Sequence, residues 1–192
     1  MSASPVVGVL ALQGAFELHR QVLEGLGARV QLVRRGDQLD DIDRLVLPGG
    51  ESTTMSMLAE RGGLIEPLAD FVRSGRPVLG TCAGAILLSA QVLDGRADQR
   101  CLGAIDLVTR RNAFGRQVDS FTIDLTIDGL GGAMFPAVCI RAPVIESVGD
   151  GVEVLARIDG RPAMARQDAI MVTIFHPELA GDARVHEWFL DS

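Results

Sequence analysis

The sequence predicts an α/β domain built on an open, mostly parallel sheet flanked by helices. Three observations carry that prediction. Residues 6–12, 28–33 and 44–47 are short apolar runs of strand length, separated by a helix-length segment and then a short polar one, and this β-α-β-α-β order favours parallel pairing. Glycine-rich turns close two of those strands, at Gln13-Gly14 and at Pro48-Gly49-Gly50. The composition, 47% hydrophobic with 22 glycines in 192 residues, suits one domain spanning residues 1–192 that buries a core without staples.

The elements follow from periodicity. Residues 6–12 are near-continuously apolar, the pattern of a strand covered on both faces. A helix is expected over 16–26, with Leu18, Val22, Leu23 and Leu26 at helical spacing and Gly25 and Gly27 at its end. The strand 28–33, a short polar helix or turn over 37–43, and the strand 44–47 come next. After Gly49-Gly50 a helix is expected over 55–60, with Ser52 or Thr53 as its N-cap, and an amphipathic helix over 64–73 ends at Ser74-Gly75. Pro77 opens a buried strand that runs to Cys82, and 85–90 reads as helix. The polar stretch 95–101 reads as exposed. Beyond it the texture turns to β: 118–127 alternates at period two, and 137–140, 152–158, 163–166 and 170–175 also read as strands, some of them antiparallel. A last helix over 183–190 should turn Val185, Trp188 and Phe189 inward. Neither a repeat nor a linker divides the chain.

Charge and cysteine usage narrow the function. A net charge of −7 with no lysine or arginine cluster argues against nucleic acid and acidic membrane surfaces as partners. Cys82, Cys101 and Cys139 make no C-x-x-C pair, and an odd count without a secretory signal predicts free thiols in the cytoplasm. The apolar runs are too short to span a bilayer. Three scattered histidines suggest no metal site.

The chemistry centres on Gly80-Thr81-Cys82-Ala83-Gly84. A cysteine in an apolar run ordinarily packs as an inert hydrophobe. Here it sits at a strand-to-helix junction with glycines two residues either side, the logic of a nucleophile elbow with sulfur in place of hydroxyl. The start of the following helix favours the thiolate form and offers backbone donors for an oxyanion. Gly49-Gly50-Glu51-Ser52-Thr53-Thr54 is a second glycine-rich strand-to-helix turn, and in an open α/β sheet ligands collect where both turns should lie. It fits neither the P-loop nor the dinucleotide fingerprint. A cysteine nucleophile needs a base and a group that orients the base. His19 and His186 fall within helices and read as ordinary helix positions. His176 follows a strand, and Pro177 holds Glu178 close behind it.

Gly80-Thr81-Cys82-Ala83-Gly84 and Phe175-His176-Pro177-Glu178-Leu179 resemble the cysteine elbow and the distant His-x-Glu pair of class I glutamine amidotransferases. Leu12-Gln13-Gly14, Leu47-Pro48-Gly49-Gly50-Glu51-Ser52-Thr53-Thr54, Arg111-Asn112-Ala113-Phe114-Gly115-Arg116-Gln117, Asp119-Ser120-Phe121 and Ile140-Arg141-Ala142-Pro143 are more closely similar to the glutaminase subunits of pyridoxal 5′-phosphate synthases. The likeness spans almost the whole chain. It departs from the family pattern at Ala85, where a larger aliphatic is common, and at Ile174, where relatives carry a small serine.

That resemblance implies a three-layer, flavodoxin-like fold and hydrolysis of L-glutamine to glutamate and ammonia. By implication Cys82 attacks the carboxamide, His176 moves protons and Glu178 orients His176. Gly50 and Ala83 supply the oxyanion N–H groups, and Gly50, Glu51, Ser52, Arg111, Ile140 and Arg141 bind glutamine. The family passes its ammonia through a tunnel to a separate synthase subunit that makes pyridoxal 5′-phosphate, and is nearly idle until docked, with Gln13 near the oxyanion loop and the contact surface. Pyridoxal phosphate is then a product, and neither cofactor nor metal is expected. Two other readings remain open: another cysteine hydrolase of related fold, and a catalytically silent subunit that regulates a synthase.

Overall fold

The computed structural model describes residues 5–111 and 120–192. The motif residues 112–117 and 119, and the first residues of the strand expected over 118–127, lie outside them. The chain starts with β1 (Val6–Leu10), α1 (Phe16–Gly25), β2 (Arg29–Val33), a 3₁₀ turn (Gly36–Leu39) and β3 (Arg44–Leu47). Next come α2 (Ser52–Arg61), α3 (Ile65–Arg73), β4 (Val78–Thr81) and α4 (Ala83–Leu88). The second half supplies β5 (Ser89–Val92), β6 (Ile105–Arg110), β7 (Ser120–Leu125), β8 (Phe135–Ile140), β9 (Val144–Val148), β10 (Glu153–Ile158), β11 (Arg161–Gln167) and β12 (Ile170–Thr173). A second 3₁₀ turn (Pro177–Leu179) and α5 (Arg184–Asp191) close the chain.

The main sheet has seven strands in the order β10-β11-β12-β4-β3-β1-β2. The five from β12 to β2 are parallel, and β10 and β11 add an antiparallel edge. The parallel part reads 2-1-3-4-12, the flavodoxin-like order, with the last place filled by a strand from near the C-terminus. Because β1 leads outward to β2 while β3 leads the other way to β4, right-handed crossovers put α1 and α2/α3 on opposite faces. The central strands are apolar on both faces for that reason: Val7, Val9, Leu45, Leu47, Val78, Leu79 and Val172 have no exposed surface. A three-stranded sheet, β5-β6-β9, and a ribbon, β7-β8, pack beside it.

Several boundaries differ from the sequence expectation. The strand expected over 6–12 stops at Leu10, and the one over 170–175 stops at Thr173, whose hydroxyl donates to the Phe175 carbonyl as the chain turns away. The helix expected over 85–90 spans Ala83–Leu88: Ser89 caps it by donating to the Ala85 carbonyl at 2.7 Å, and residues 89–92 continue as β5. β5, β6 and β9 are strands that the sequence does not predict. The stripe of α1 is also rotated: His19 and Leu23 are its buried residues, and Leu18 is exposed.

Candidate active site

The carboxyl ends of β1, β3, β4 and β12 meet at one edge of the main sheet, next to the point where strand order reverses, and this is where open α/β sheets form crevices. Register fixes the first two groups. Thr173 of β12 pairs with Thr81 of β4, and the Cys82 N–H donates to the Thr173 carbonyl at 2.8 Å, so the two strand ends are held side by side. Cys82 follows directly on one and His176 lies three residues beyond the other.

Cys82 occupies a backbone conformation with φ 49° and ψ −102°, outside the ordinary wells for a residue with a side chain. The flanking glycines permit it. A Cβ on Gly84 would run into the Leu47 carbonyl, and one on Gly80 into Leu88 and the Gly84 backbone. The elbow therefore sits tightly on the end of β3, with the start of α4 beside the sulfur. Ala85, fully buried under the elbow, and Ile174, 2% exposed, both belong to the core, so the two departures from the family pattern are absorbed in packing.

His176 donates its backbone N–H to the Val138 carbonyl at 2.8 Å, and its Nδ1 lies 2.7 Å from Glu178 Oε1. Pro177 at the start of the second 3₁₀ turn folds the chain so that Glu178 comes back under the imidazole. Burial alone would discharge His176, but hydrogen bonding to Cys82 and Glu178 and the attraction of both groups outweigh it and push its pKa up to about 10. The imidazole is thus cationic at neutral pH. Glu178 is held below the usual carboxylate range: burial opposes this, and His19 and His176 overcome it.

The loop before α2 is clamped by the loop after β1. Gln13 Oε1 accepts the Glu51 N–H at 2.7 Å, and the Ala15 N–H donates to the Gly49 carbonyl at 2.9 Å. Gly14, at φ 97°, lies so close to the Gly49 carbonyl that no side chain fits there. Glu51, rather than Ser52 or Thr53, is the N-cap of α2, accepting from the N–H groups of Thr53 at 3.2 Å and Thr54 at 2.7 Å. A carboxylate does this better than a hydroxyl because it can accept both donors at once and faces the positive end of the helix. Arg111 reaches the same place, donating to Thr53 Oγ1 at 2.6 Å and Glu51 Oε1 at 2.8 Å.

These pieces enclose a cavity of about 280 Å³. Cys82, Ala83 and His176 line it together with Gln13, Gly50, Glu51, Ser52, Arg111, Ile140 and Arg141. Glu178 sits behind His176, outside the lining. The cavity thus collects every other residue singled out from the sequence. Arg141 takes a positive φ of 43° beside Ile140, whose carbonyl lies 3.9 Å from the Cys82 sulfur.

Residues 9–192 match the SNO glutamine amidotransferase family. The chain belongs to that family. A pyridoxal 5′-phosphate synthase subunit PdxT of Mycobacteroides abscessus is 55% identical over 188 residues, covering 98% of this chain and 97% of that one. The PdxT subunit of Frankia alni is 52% identical over 189 residues, covering 98% and 95%. A crystal structure of a glutamine amidotransferase superimposes with a TM-score of 0.90 at 44% identity, over 96% of this chain and 97% of the other. The α/β fold with its large, mostly parallel sheet is that of glutamine amidotransferases.

Not every polar group near this candidate site was visible in the sequence. His19 and His186, read as ordinary helix positions, are completely buried behind Glu178. Gln99, from the stretch 95–101, donates to Ser52 Oγ at 3.2 Å and receives the Thr53 hydroxyl at 3.3 Å, tying that stretch to the start of α2. All three cysteines are free. Among the described residues no helix is long and apolar enough to cross a membrane.

Proposed function

We propose that the chain is the glutaminase subunit of a pyridoxal 5′-phosphate synthase, acting as one glutamine amidotransferase domain over its whole length. It hydrolyses L-glutamine to glutamate and ammonia in the cytoplasm and passes the ammonia to a synthase subunit. The observation that carries this reading is the buried Glu178–His176 pair, joined at 2.7 Å, next to a strained Cys82 that lines the cavity. The names of the PdxT relatives support the pathway.

In this reading the Cys82 thiolate attacks the side-chain carboxamide carbon of glutamine. The developing oxyanion points to the backbone N–H groups of Gly50 and Ala83; one such donor is worth about 3 kcal/mol in other hydrolases. Imidazolium at His176 gives its proton to the departing nitrogen, ammonia leaves, and a thioester to Cys82 remains. His176, now neutral, takes a proton from water as the water attacks the thioester, and glutamate and the thiolate are restored. Glu178 keeps the imidazole oriented through both steps. Arg111 and Arg141 face the glutamine α-carboxylate end, with Glu51, Ser52, Gly50 and Ile140 shaping the same pocket. Gln13, which holds the Glu51 N–H, links the oxyanion loop to the surface where the synthase subunit docks.

A silent regulatory subunit has no need of an intact cysteine, histidine and glutamate array, and another cysteine hydrolase has no need of the Gly50 and Arg111 pocket. The deciding experiment measures glutamate release from L-glutamine by the purified chain, with and without the synthase subunit, alongside Cys82→Ala. Partner-dependent release that vanishes in the variant is expected. Absence of glutamate from a verified complex would overturn the glutaminase assignment.

A further inference from the structure

Behind the glutamate of the triad the structure holds a second, fully buried polar array that the hydrolysis does not use. Glu178 spends Oε1 on His176. Its Oε2 is buried and meets no well-aligned donor, yet His19 Nε2 of α1 lies 3.2 Å away. The same nitrogen is 3.2 Å from Thr81 Oγ1 at the end of β4, so a proton on it would face both oxygens. On the other side of the ring, His19 Nδ1 lies 3.0 Å from His186 Nε2 of α5. His186 Nδ1 is buried with no partner at all. Side chains from α1, β4 and α5 thus form one connected array behind Glu178.

Only one distribution of protons suits this array. If His19 carried its proton on Nδ1, a bare Nε2 lone pair would face the Glu178 carboxylate, and His186 would have to bury an N–H on Nδ1 with nothing to receive it. With the proton on Nε2 of both rings, His186 donates to His19, His19 donates toward Glu178 and Thr81, and the one atom left unpartnered is an acceptor. An orphan acceptor is the lesser penalty.

We infer that His19 is a positioning residue for the glutaminase reaction: held as its neutral Nε2–H tautomer by His186, it fixes the free oxygen of Glu178 and so aims Glu178 at His176. Burial agrees with neutral rings, since it pushes His186 down to about 3 and His19 in the same direction. The charged or titratable groups that face His19 are Glu178 and His176 from the site and His186 from α5. The inference rests on the glutaminase reading for its kinetic consequence but not for its geometry.

Its test therefore has two arms. With only three histidines in the chain, ¹⁵N-histidine labelling resolves each ring. His19 and His186 should both report the neutral Nε2–H tautomer between pH 6 and 8, and His176 should titrate near its raised value of about 10. In His19→Leu the His176 titration should fall by about one pH unit, and His19→Gln, whose amide can place an N–H where Nε2 was, should restore it. In glutamine hydrolysis with the synthase subunit, His19→Leu should lower kcat about 10- to 100-fold with KM within about twofold, the range for outer groups that orient a reacting one. His186→Gln, which keeps a donor to His19, should stay within about threefold of the parent. An Nδ1–H or cationic His19, or a His176 titration and kcat indifferent to His19→Leu, overturns the inference. Should the parent complex hydrolyse no glutamine while the labelled spectra agree, the glutaminase reading fails and the positioning of His176 stands.

Discussion

Lowering the pH from 7 to 5 should destabilise this protein by about 2 kcal/mol through His186, which folding keeps neutral, with His19 acting in the same direction. His186 is held at about 3 by burial, with His19 adding to the effect, and His19 is lowered for the same first reason. An unfolded chain takes up these protons near pH 6.5, and the folded one refuses them, so the unfolded state binds more protons and stability falls as pH falls. The stabilisation is fully present above 6.5. His176 works the other way: raised to about 10, it is already charged in the folded state at pH 7 while the unfolded ring still takes up its proton, so it returns about 0.8 kcal/mol between pH 7 and 5, and its contribution is lost as pH rises toward 10. Glu178, Glu51 and Asp182, all lowered, begin to matter only where unfolded carboxyls titrate, below about pH 5. The interval from 7 to 5 is therefore governed by the histidines, and comparing the parent with His186→Leu isolates the buried ring. Urea unfolding at pH 7, 6 and 5, extrapolated linearly to water, measures it. Stability that stays level or rises across that interval would refute the reasoning. So would a loss that His186→Leu leaves unchanged.

Three substitutions probe the site from other directions. Gly84→Ala drives a methyl group into the Leu47 carbonyl, a backbone atom that cannot swing aside, and should cost about 1–3 kcal/mol of stability in urea titration. Arg111→Lys keeps the charge but loses the fork that spans Thr53 and Glu51, and should raise KM for glutamine about tenfold with kcat little changed in steady-state assays. Gly49→Ala places its methyl group against the His176 ring, while the Ala15 N–H pins the Gly49 carbonyl from behind. The imidazole must turn away from Glu178, and glutamine hydrolysis should fall about 100-fold with the fold intact by circular dichroism.

Elements whose burial matches their periodicity were legible in the sequence. β3 and the parallel β-α-β opening needed only apolar runs and glycine punctuation, because strands covered on both faces show no alternation to confuse the reading. β5 and β9 were not legible, since half their residues face solvent and neither has the unbroken apolar run that flags a covered strand. The N-cap of α2 lies one or two residues before the expected Ser52 or Thr53 because hydroxyls are the commoner caps, whereas Glu51 can also serve Arg111 across the cavity.

The site divides in the same way. Cys82, His176, Glu178 and the Gly49-Gly50 turn announce themselves because each breaks a local rule: glycines beside a cysteine, a proline behind a histidine, a turn where a helix should start. His19 breaks none. Its position in a helix is unremarkable until one asks which face is covered, and the apolar residues Leu18, Val22 and Leu26 suggest a stripe one residue away from the true one. The rotation has a cause: α1 turns toward the site the side chain that can meet Glu178, at the expense of leaving Leu18 in solvent. Its partner His186 lies 167 residues later, a separation over which no helical period carries information. An exposed leucine on an otherwise sound amphipathic helix is thus the trace, within the sequence, of a polar group that the fold places at its centre.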